Sequence, residues 1–364
     1  MTRIALAIAT PVLALVSAFL ITSLVLILAG DPAGEVWSTI LSMPETRNIA
    51  NIINSATVLY LSGLAVAVGF RMNLFNIGVD GQYRVAAFVA AYVAGEAWLP
   101  GYLNTAFAIL AAILVGAAWA GIAAVLRAAR GVSEVISTIM LNAIATSLVA
   151  YLLRKAAVRE EGSNVIATRE IPDGSRIPSF SLSGDAGTEV YGFVFIAIAA
   201  GLAYWIVINR TRFGFDLRAT GHSETAAVAS GINTKAMIVK VMLISGGLAG
   251  LVGLPILFGS SYSYGSTFQS GLGFAGIAIA LLGRNHPIGI ALGALLFAYL
   301  EEQSNPLQIL VDVSPDIVKI TQGIIVLTVV ISYEVVRRYG LRLEQRHVAQ
   351  ALERDATEKA GAAA

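Results

Sequence analysis

The stretch FRMNLFNIGVDGQYR, Phe70–Arg84, sets two asparagines, an aspartate, a glutamine and two arginines between runs apolar enough to span a membrane. At membrane depth such groups cost several kcal/mol unless they face protein or a water-filled path. The stretch therefore marks either a transport pathway or a buried structural joint, and its surroundings fix the class of protein. The chain has 364 residues, 57% of them hydrophobic and 13% charged, with mean hydropathy +0.76. Those values lie outside the soluble range and indicate an integral membrane protein. A net charge of +1 offers no electrostatic basis for binding nucleic acid. The absence of cysteine excludes disulfides, thiolate metal sites and a cysteine nucleophile, and His222, His286 and His347 are too dispersed to imply a metal site.

Counting outward from this stretch in windows of about 20 apolar residues gives about ten spans: 9–29, 50–70, 79–98, 103–126, 135–153, 191–209, 237–258, 271–283, 287–302 and 317–336. The apolar run after Arg3 is too long for a signal-peptide core and is read as an uncleaved first span. The positive-inside bias places both termini in the cytoplasm, with Arg127, Arg130, Arg210, Arg212, Arg218, Lys235 and Arg284 on that side. The expected fold is all-α, a polytopic membrane protein of about ten transmembrane helices. Five spans per half would invert the second half relative to the first, a common transporter build with the pathway between halves. Each half carries a Gly-rich, polar-interrupted segment, Phe70–Arg84 and Gly271–Pro287. The expected organisation is a transmembrane permease domain over 1–340 containing an extracytoplasmic loop at 154–190 and a cytoplasmic loop at 210–235, followed by a cytoplasmic tail at 341–364.

Candidate pathway residues are Asn51, Asn54 and Tyr60 on the second span and Asn73, Asn76, Asp80 and Gln82 in the opening stretch. Amides offer both donors and acceptors to a sugar hydroxyl or a purine edge. Alternatively they satisfy backbone freed by a helix break near Gly78 and Gly81, or join helices to one another. Asp80 has Arg71 and Arg84 within pairing distance in sequence. Glu96, Glu301 and Glu302 sit at span ends and read as solvated, and the glycines at 246, 247, 250 and 253 read as packing positions. Glu134 and Ser137 cap the fifth span or offer a partner contact. The segment RIPSFSLSGD, Arg176–Asp185, belongs to a loop that either covers the pathway mouth or links two spans loosely.

In the loop Arg210–Lys235, Ser223 is a good helix N-cap and Gly231 a good residue just past a helix end. The spacing predicts one helix of about seven residues, rich in alanine and so able to enter a groove on a partner or to lie as a plain connector. Ala226-Ala227-x-x-x-Gly231 resembles the coupling loop of ABC-importer permeases, although Thr225 separates Glu224 from the alanines where the family pattern has them adjacent. NLFNIGVDGQ (73–82), GVSEVISTIMLN (131–142) and GFAGIAIALLGRNHPIGI (273–290) resemble the nucleoside and simple-sugar branch, which is ribose-permease-like and related to branched-chain amino acid permeases. The matches run in order over 50–335. The resemblance implies a non-enzymatic permease subunit of a binding-protein-dependent importer for a neutral solute, most like a purine nucleoside, in the bacterial inner membrane. It implies no bound cofactor and an ABC ATPase subunit holding ATP. It also implies a second permease chain, identical or sister, and an extracytoplasmic solute-binding protein. Ser223, Glu224, Ala226, Ala227 and Gly231 would then couple to the ATPase. The chain has no G-x-x-x-x-G-K-[ST] phosphate loop, so any ATP-driven motor is a separate subunit. A stand-alone ion-coupled carrier, with Asp80 as its titrating group, is the competing expectation, and an importer for a sugar such as ribose is the other.

Overall fold

The computed structural model describes residues 2–158, 166–185, 187–332, 335 and 338, with side chains from 13 onward except 14. The expected tail at 341–364 and positions 159–165 and 186 of the long loop lie outside the described residues. The chain divides into two compact units, one of Met1–Ile40 with Ser304–Ala364 and one of Leu41–Gln303.

The smaller unit contains α1 (Thr2–Ala29), α2 (Ala33–Ile40), α14 (Leu307–Leu310) and α15 (Ile317–Ser332). Gly30, at φ 85°, turns α1 back so that the Trp37 ring stacks at 4.6 Å on Phe19 and its indole N–H donates to Ser23 Oγ at 2.9 Å.

The larger unit begins with α3 (Thr46–Phe70), α4 (Val79–Glu96), α5 (Gly101–Arg130) and α6 (Glu134–Ala156). A small hairpin of β1 (Ser179–Ser181) and β2 (Glu189–Tyr191) follows, with Phe180 opposite Val190. Then come α7 (Phe193–Arg210), α8 (Arg212–His222), α9 (Glu224–Ala229) and α10 (Thr234–Gly250). α10 continues through α11 (Leu254–Ile256) and a π-helical turn, Leu257–Ser261, and is followed by α12 (Leu272–Leu282) and α13 (Pro287–Ser304). Helices therefore occupy each of the expected spans, and the all-α, polytopic expectation holds. Five of them, Thr46–Phe70, Gly101–Arg130, Glu134–Ala156, Phe193–Arg210 and Thr234–Ser261, are long and apolar enough to cross a membrane. α4, 18 residues long, carries Asp80, Arg84 and Glu96 and so is too charged to count among them, and α12 spans only 11 residues.

Burial separates a core from a periphery. The most apolar windows of α3 and of Thr234–Ser261 are 78% buried, whereas those of α5, α6 and α7 are 28% buried and turn leucine, isoleucine and phenylalanine outward. α5 and α10 cross almost backbone to backbone: a side chain at Gly116 would strike Gly246 O, and one at Gly250 would strike Ala112 O. Small residues on both faces permit this approach, where van der Waals packing replaces the hydrophobic drive that lipid cannot supply. α3 takes α12 in the same manner, with Gly276 seated on Ser62.

The break between α3 and α4 positions the site. Asn73, at φ 56°, reverses the chain just past α3, and α4 starts at Val79. The N-terminus of α12 meets that of α4: Gly273 lies against the Asp80 backbone, and Gly271 N–H donates to Asp80 Oδ1 at 3.0 Å. α4 and α12 are the third spans of the two expected halves, so a five-plus-five repeat makes them counterparts.

One expectation needs correction. The loop Arg210–Lys235 holds two helices, not one, because α8 precedes α9. Thr211 Oγ1 caps α8 by accepting from Gly214 N–H at 3.1 Å, and Gly214, Leu217 and Thr220 give it a buried face. The charges at Arg212, Asp216 and Arg218 mask that face in the sequence.

Candidate functional site

The polar residues of Phe70–Arg84 form a closed network. Asn76 Oδ1 accepts from Gly78 N–H at 3.1 Å and from Gln82 Nε2 at 2.9 Å. Its amide nitrogen donates to Gln82 Oε1 at 3.0 Å and to Ser245 Oγ at 2.8 Å, and Ser245 Oγ donates onward to Ala65 O. Asn142 Oδ1 accepts from Gly81 N–H and its Nδ2 donates to Ile77 O. Asp80 Oδ2 lies 3.0 Å from Arg84 Nε, off line for a hydrogen bond, as an ion pair one helical turn apart. Asn76, Asp80 and Gln82 are all buried, and the bonds they make are those of a helix break sealed inside protein. Being negative, Asp80 also suits the positive ends of the two helix dipoles that converge on it.

Asn73 is separate from this network. Its side chain donates to Gly221 O at 2.7 Å, near the end of α8, and Gly221 lies against the Arg71 carbonyl. Arg71 in turn donates to Asn285 O at 2.8 and 3.2 Å, where the Tyr204 hydroxyl also donates. Tyr60 packs on Gly201 of α7, away from the other candidates.

Asn51 and Asn54 line a cavity of about 260 Å³ with Ser55, Val58 and Leu59 of α3, Tyr191 of β2, Ile256, Ser260, Gln269, Leu272, Glu301 and Glu302. Asn51 Nδ2 donates to Glu302 Oε1 at 2.9 Å. Asn54 uses both ends of its amide on β2, donating to Glu189 O and accepting from Tyr191 N–H, each at 2.9 Å, so it holds the Tyr191 ring at the cavity wall. That ring rests on Gly259 of the π-helical turn, where a Cβ would strike it. The lining thus combines acidic and amide groups with aliphatic and aromatic ones. The candidates fall into three groups: Asn51 and Asn54 at the cavity, Asn76, Asp80 and Gln82 at the joint, and Asn73 and Tyr60 elsewhere. Tyr191 and Gln269 join the cavity without having been singled out, and Glu301 and Glu302, read as span-end residues, border it as well. Adjacent glutamates ending an apolar helix were the available signal.

The long loop seals the region above α4 and α10. Ile171 N–H donates to Tyr262 O at 2.8 Å, Thr168 N–H to Tyr264 O at 3.0 Å, and the Arg176 guanidinium stacks 3.9 Å from the Tyr262 ring while pairing with Glu170 and Asp173. Burial raises the Tyr262 hydroxyl above its ordinary value against the opposing Arg176 charge, and burial pushes Tyr264 up to about 12, so both stay protonated at neutral pH. The described part of this loop is bonded to the segment that follows the π-helical turn.

α9 has the caps its sequence predicts. Ser223 Oγ accepts from Ala226 N–H at 3.3 Å, Gly231 adopts φ 83°, and Ile232 N–H returns to Ala227 O at 3.0 Å. Ala227 is buried against the bundle, while Glu224, Ala226, Val228 and Gly231 are exposed. Glu134 is buried, 3.4 Å from Arg127, and accepts from Phe75 N–H, tying the start of α6 to the turn after α3.

Residues 48–330 match the family described as branched-chain amino acid transport system / permease component. The glucose ABC transporter permease protein TsgB13 of Haloferax volcanii is 30% identical over 94% of this chain and 92% of its own length. The guanosine ABC transporter permease protein NupP of Bacillus subtilis is 32% identical over 89% of this chain and 93% of its own. The nucleoside ABC transporter permease protein NupB of Lactococcus lactis is 29% identical over 89% and 90%.

Proposed function

The chain belongs to the branched-chain amino acid transport system / permease component family, and we propose that it carries a purine nucleoside across the bacterial inner membrane as the permease subunit of a binding-protein-dependent importer. It is a membrane-embedded ABC transporter permease component and not an enzyme. ATP binds a separate ATPase subunit; a second permease chain, identical or sister, and an extracytoplasmic binding protein complete the assembly, and both termini are cytoplasmic. Neutral cargo fits a bundle whose buried aspartate is already paired with Arg84. The observation that carries the choice of nucleoside is the 32% identity to a guanosine permease over 89% of the chain.

Of the residues singled out by sequence, Asn51 and Asn54 are the ones proposed to face solute, since both border the cavity. Asn76, Asp80 and Gln82 are proposed to hold the helix break. Ser223, Ala226 and Gly231 are proposed to shape the surface that meets the ATPase, with Ala227 as its buried seat and Glu224 at its rim. The 30% identity to a glucose permease supports a second reading, in which the cargo is a simple sugar. Uptake of radiolabelled guanosine, adenosine, ribose and glucose into proteoliposomes separates the two. The vesicles hold this chain with the permease, ATPase and binding protein encoded beside it. ATP-dependent guanosine uptake is expected. Uptake by this chain alone, driven by a proton or sodium gradient and indifferent to ATP, would replace the importer with a carrier.

A further inference from the structure

We propose that Tyr191 is the platform on which the cavity of about 260 Å³ holds a flat heteroaromatic ring, so that this site recognises a base and not a sugar. The proposal rests on the importer reading above and names the residue that chooses between its two classes of solute. Three features of the larger unit that the helix bundle does not itself require meet at this side chain. Asn54 is a buried amide on α3, yet it spends both ends on the hairpin, donating to Glu189 O and accepting from Tyr191 N–H, each at 2.9 Å. The chain after α11 winds into the π-helical turn Leu257–Ser261, a rare geometry that is frequent at functional sites. Within that turn stands Gly259, where a Cβ would strike the Tyr191 ring.

Asn54 therefore fixes the Tyr191 backbone, and Gly259 lets the π-helical turn lie against the ring. Tyr191 is half-buried and lines the cavity, so an aromatic surface is presented there already in place. A side chain ordered before the ligand arrives loses little freedom on binding, and that order adds to affinity. Asn54 borders the cavity too, but its part in recognition is to position Tyr191.

The neutral polar groups of the lining suit the edge of such a ring. Asn51 and Ser55 follow one another at four-residue spacing along one face of α3. Ser55 Oγ and the Gln269 side-chain amide make no hydrogen bond among the described residues, and Asn51 keeps its oxygen and one N–H after donating to Glu302. Gln269 is anchored through its backbone instead, where its carbonyl accepts from the Tyr83 hydroxyl at 2.9 Å. Hydroxyl and amide groups both donate and accept, as the mixed edge of a nucleobase demands. A sugar can use the same groups, but it has no π face to lay on Tyr191 and gains less from the ring. The volume lies just under the roughly 300–1,000 Å³ of pockets for drug-sized ligands, in keeping with one small ring system.

The test uses the complex of this chain with its companion subunits in lipid nanodiscs, without the binding protein, and measures equilibrium binding of tritiated guanosine. Free guanine should displace the label from wild type, and ribose should not. Tyr191→Leu should weaken guanosine binding about tenfold, within the range for loss of one base–aromatic stack, and Tyr191→Phe should recover most of that loss. Asn54→Ala should weaken binding as well, yet add nothing when combined with Tyr191→Leu, because it acts through that ring. Displacement by ribose but not by guanine overturns the proposal in favour of a sugar subsite. So does undetectable guanosine binding by wild type, or wild-type affinity in Tyr191→Leu. A Tyr191→Phe variant as weak as Tyr191→Leu overturns it too, since the hydroxyl would then be the contact. Additive losses in the double variant overturn the positioning role of Asn54. If Tyr191→Leu does not assemble with the ATPase, the competition of guanine against ribose on wild type decides alone. Absence of ATP-driven uptake of every nucleoside and sugar by the complete wild-type system is the separate failure of the importer reading.

Discussion

Asn76 makes four hydrogen bonds with one side chain and has no contact with solvent, which is the cost and the use of an amide at membrane depth. Alanine there would strand Gln82, Ser245 and the Gly78 N–H together. Each orphaned buried group costs about 1–3 kcal/mol, so Asn76→Ala should destabilise by about 3 kcal/mol or more. Asn73→Ala, which removes one exposed bond to Gly221 O, should cost under about 1 kcal/mol. Thermal unfolding of the two variants in one detergent checks the difference, and equal small shifts would show that the Asn76 network does not hold the break. The pair also shows where sequence was legible. That Phe70–Arg84 interrupts a span is plain from composition. That Asn76 turns inward while Asn73, three residues on the other side of the turn, reaches α8 depends on φ 56° at Asn73 and on partners more than 140 positions away.

At the scale of elements, the helices were legible and their meetings were not. Hydropathy runs located the spans because lipid demands long apolar segments whatever their neighbours. α8 escaped because it is short and charged, and its buried face exists only where Gly214, Leu217 and Thr220 find the bundle. Of the two Gly-rich, polar-interrupted segments, Phe70–Arg84 contains the α3–α4 break and Gly271–Pro287 contains α12 and the turn at Arg284 and Asn285, while the loop before it delivers the α12 N-terminus to Asp80. Glu301 and Glu302 read as solvated helix ends, and Glu301 is exposed, but nothing local says that the end of α13 stands beside the start of α3. The α5–α10 crossing yields the prediction at this scale. Gly246→Leu must push apart two backbones that touch at Gly116, and overpacking of such contacts typically costs about 1–3 kcal/mol. Leu202→Ala, on the exposed face of α7, should leave stability within about 0.5 kcal/mol. Detergent-exchange stability assays distinguish them, and a stable Gly246→Leu variant would mean that the helices separate freely.

For the whole molecule, the question is how a motor outside this chain moves a solute within it. One covalently and sterically continuous route is visible inside the larger unit. α9 stands on α8, the end of α8 holds Asn73 and Arg71 at the close of α3, and α3 runs from there to Asn54 and Asn51 at the cavity. A displacement of α9 therefore bears on the helix that lines the cavity, the proposed solute site, with only Ser223 between α9 and α8. Ala226 and Ala227 dissect this route, because they are adjacent yet face opposite ways. Ala226 is exposed, so Ala226→Glu should leave the fold intact, place a charge on the proposed docking face and reduce ATP-driven uptake by tenfold or more, on the order expected for a buried unpaired charge at an interface. Ala227 is buried, so Ala227→Glu should fail earlier, by destabilising the seat of α9 itself. Gly231→Val tests the same element without a charge: a β-branched residue at φ 83° strains the cap by about 1–2 kcal/mol, although nothing crowds the position. Uptake, ATPase co-purification and unfolding temperature measured together on the three variants give the pattern. Normal co-purification and normal uptake by folded Ala226→Glu would break the route at its first step, leaving α9 as a connector and moving the point of contact elsewhere on the chain.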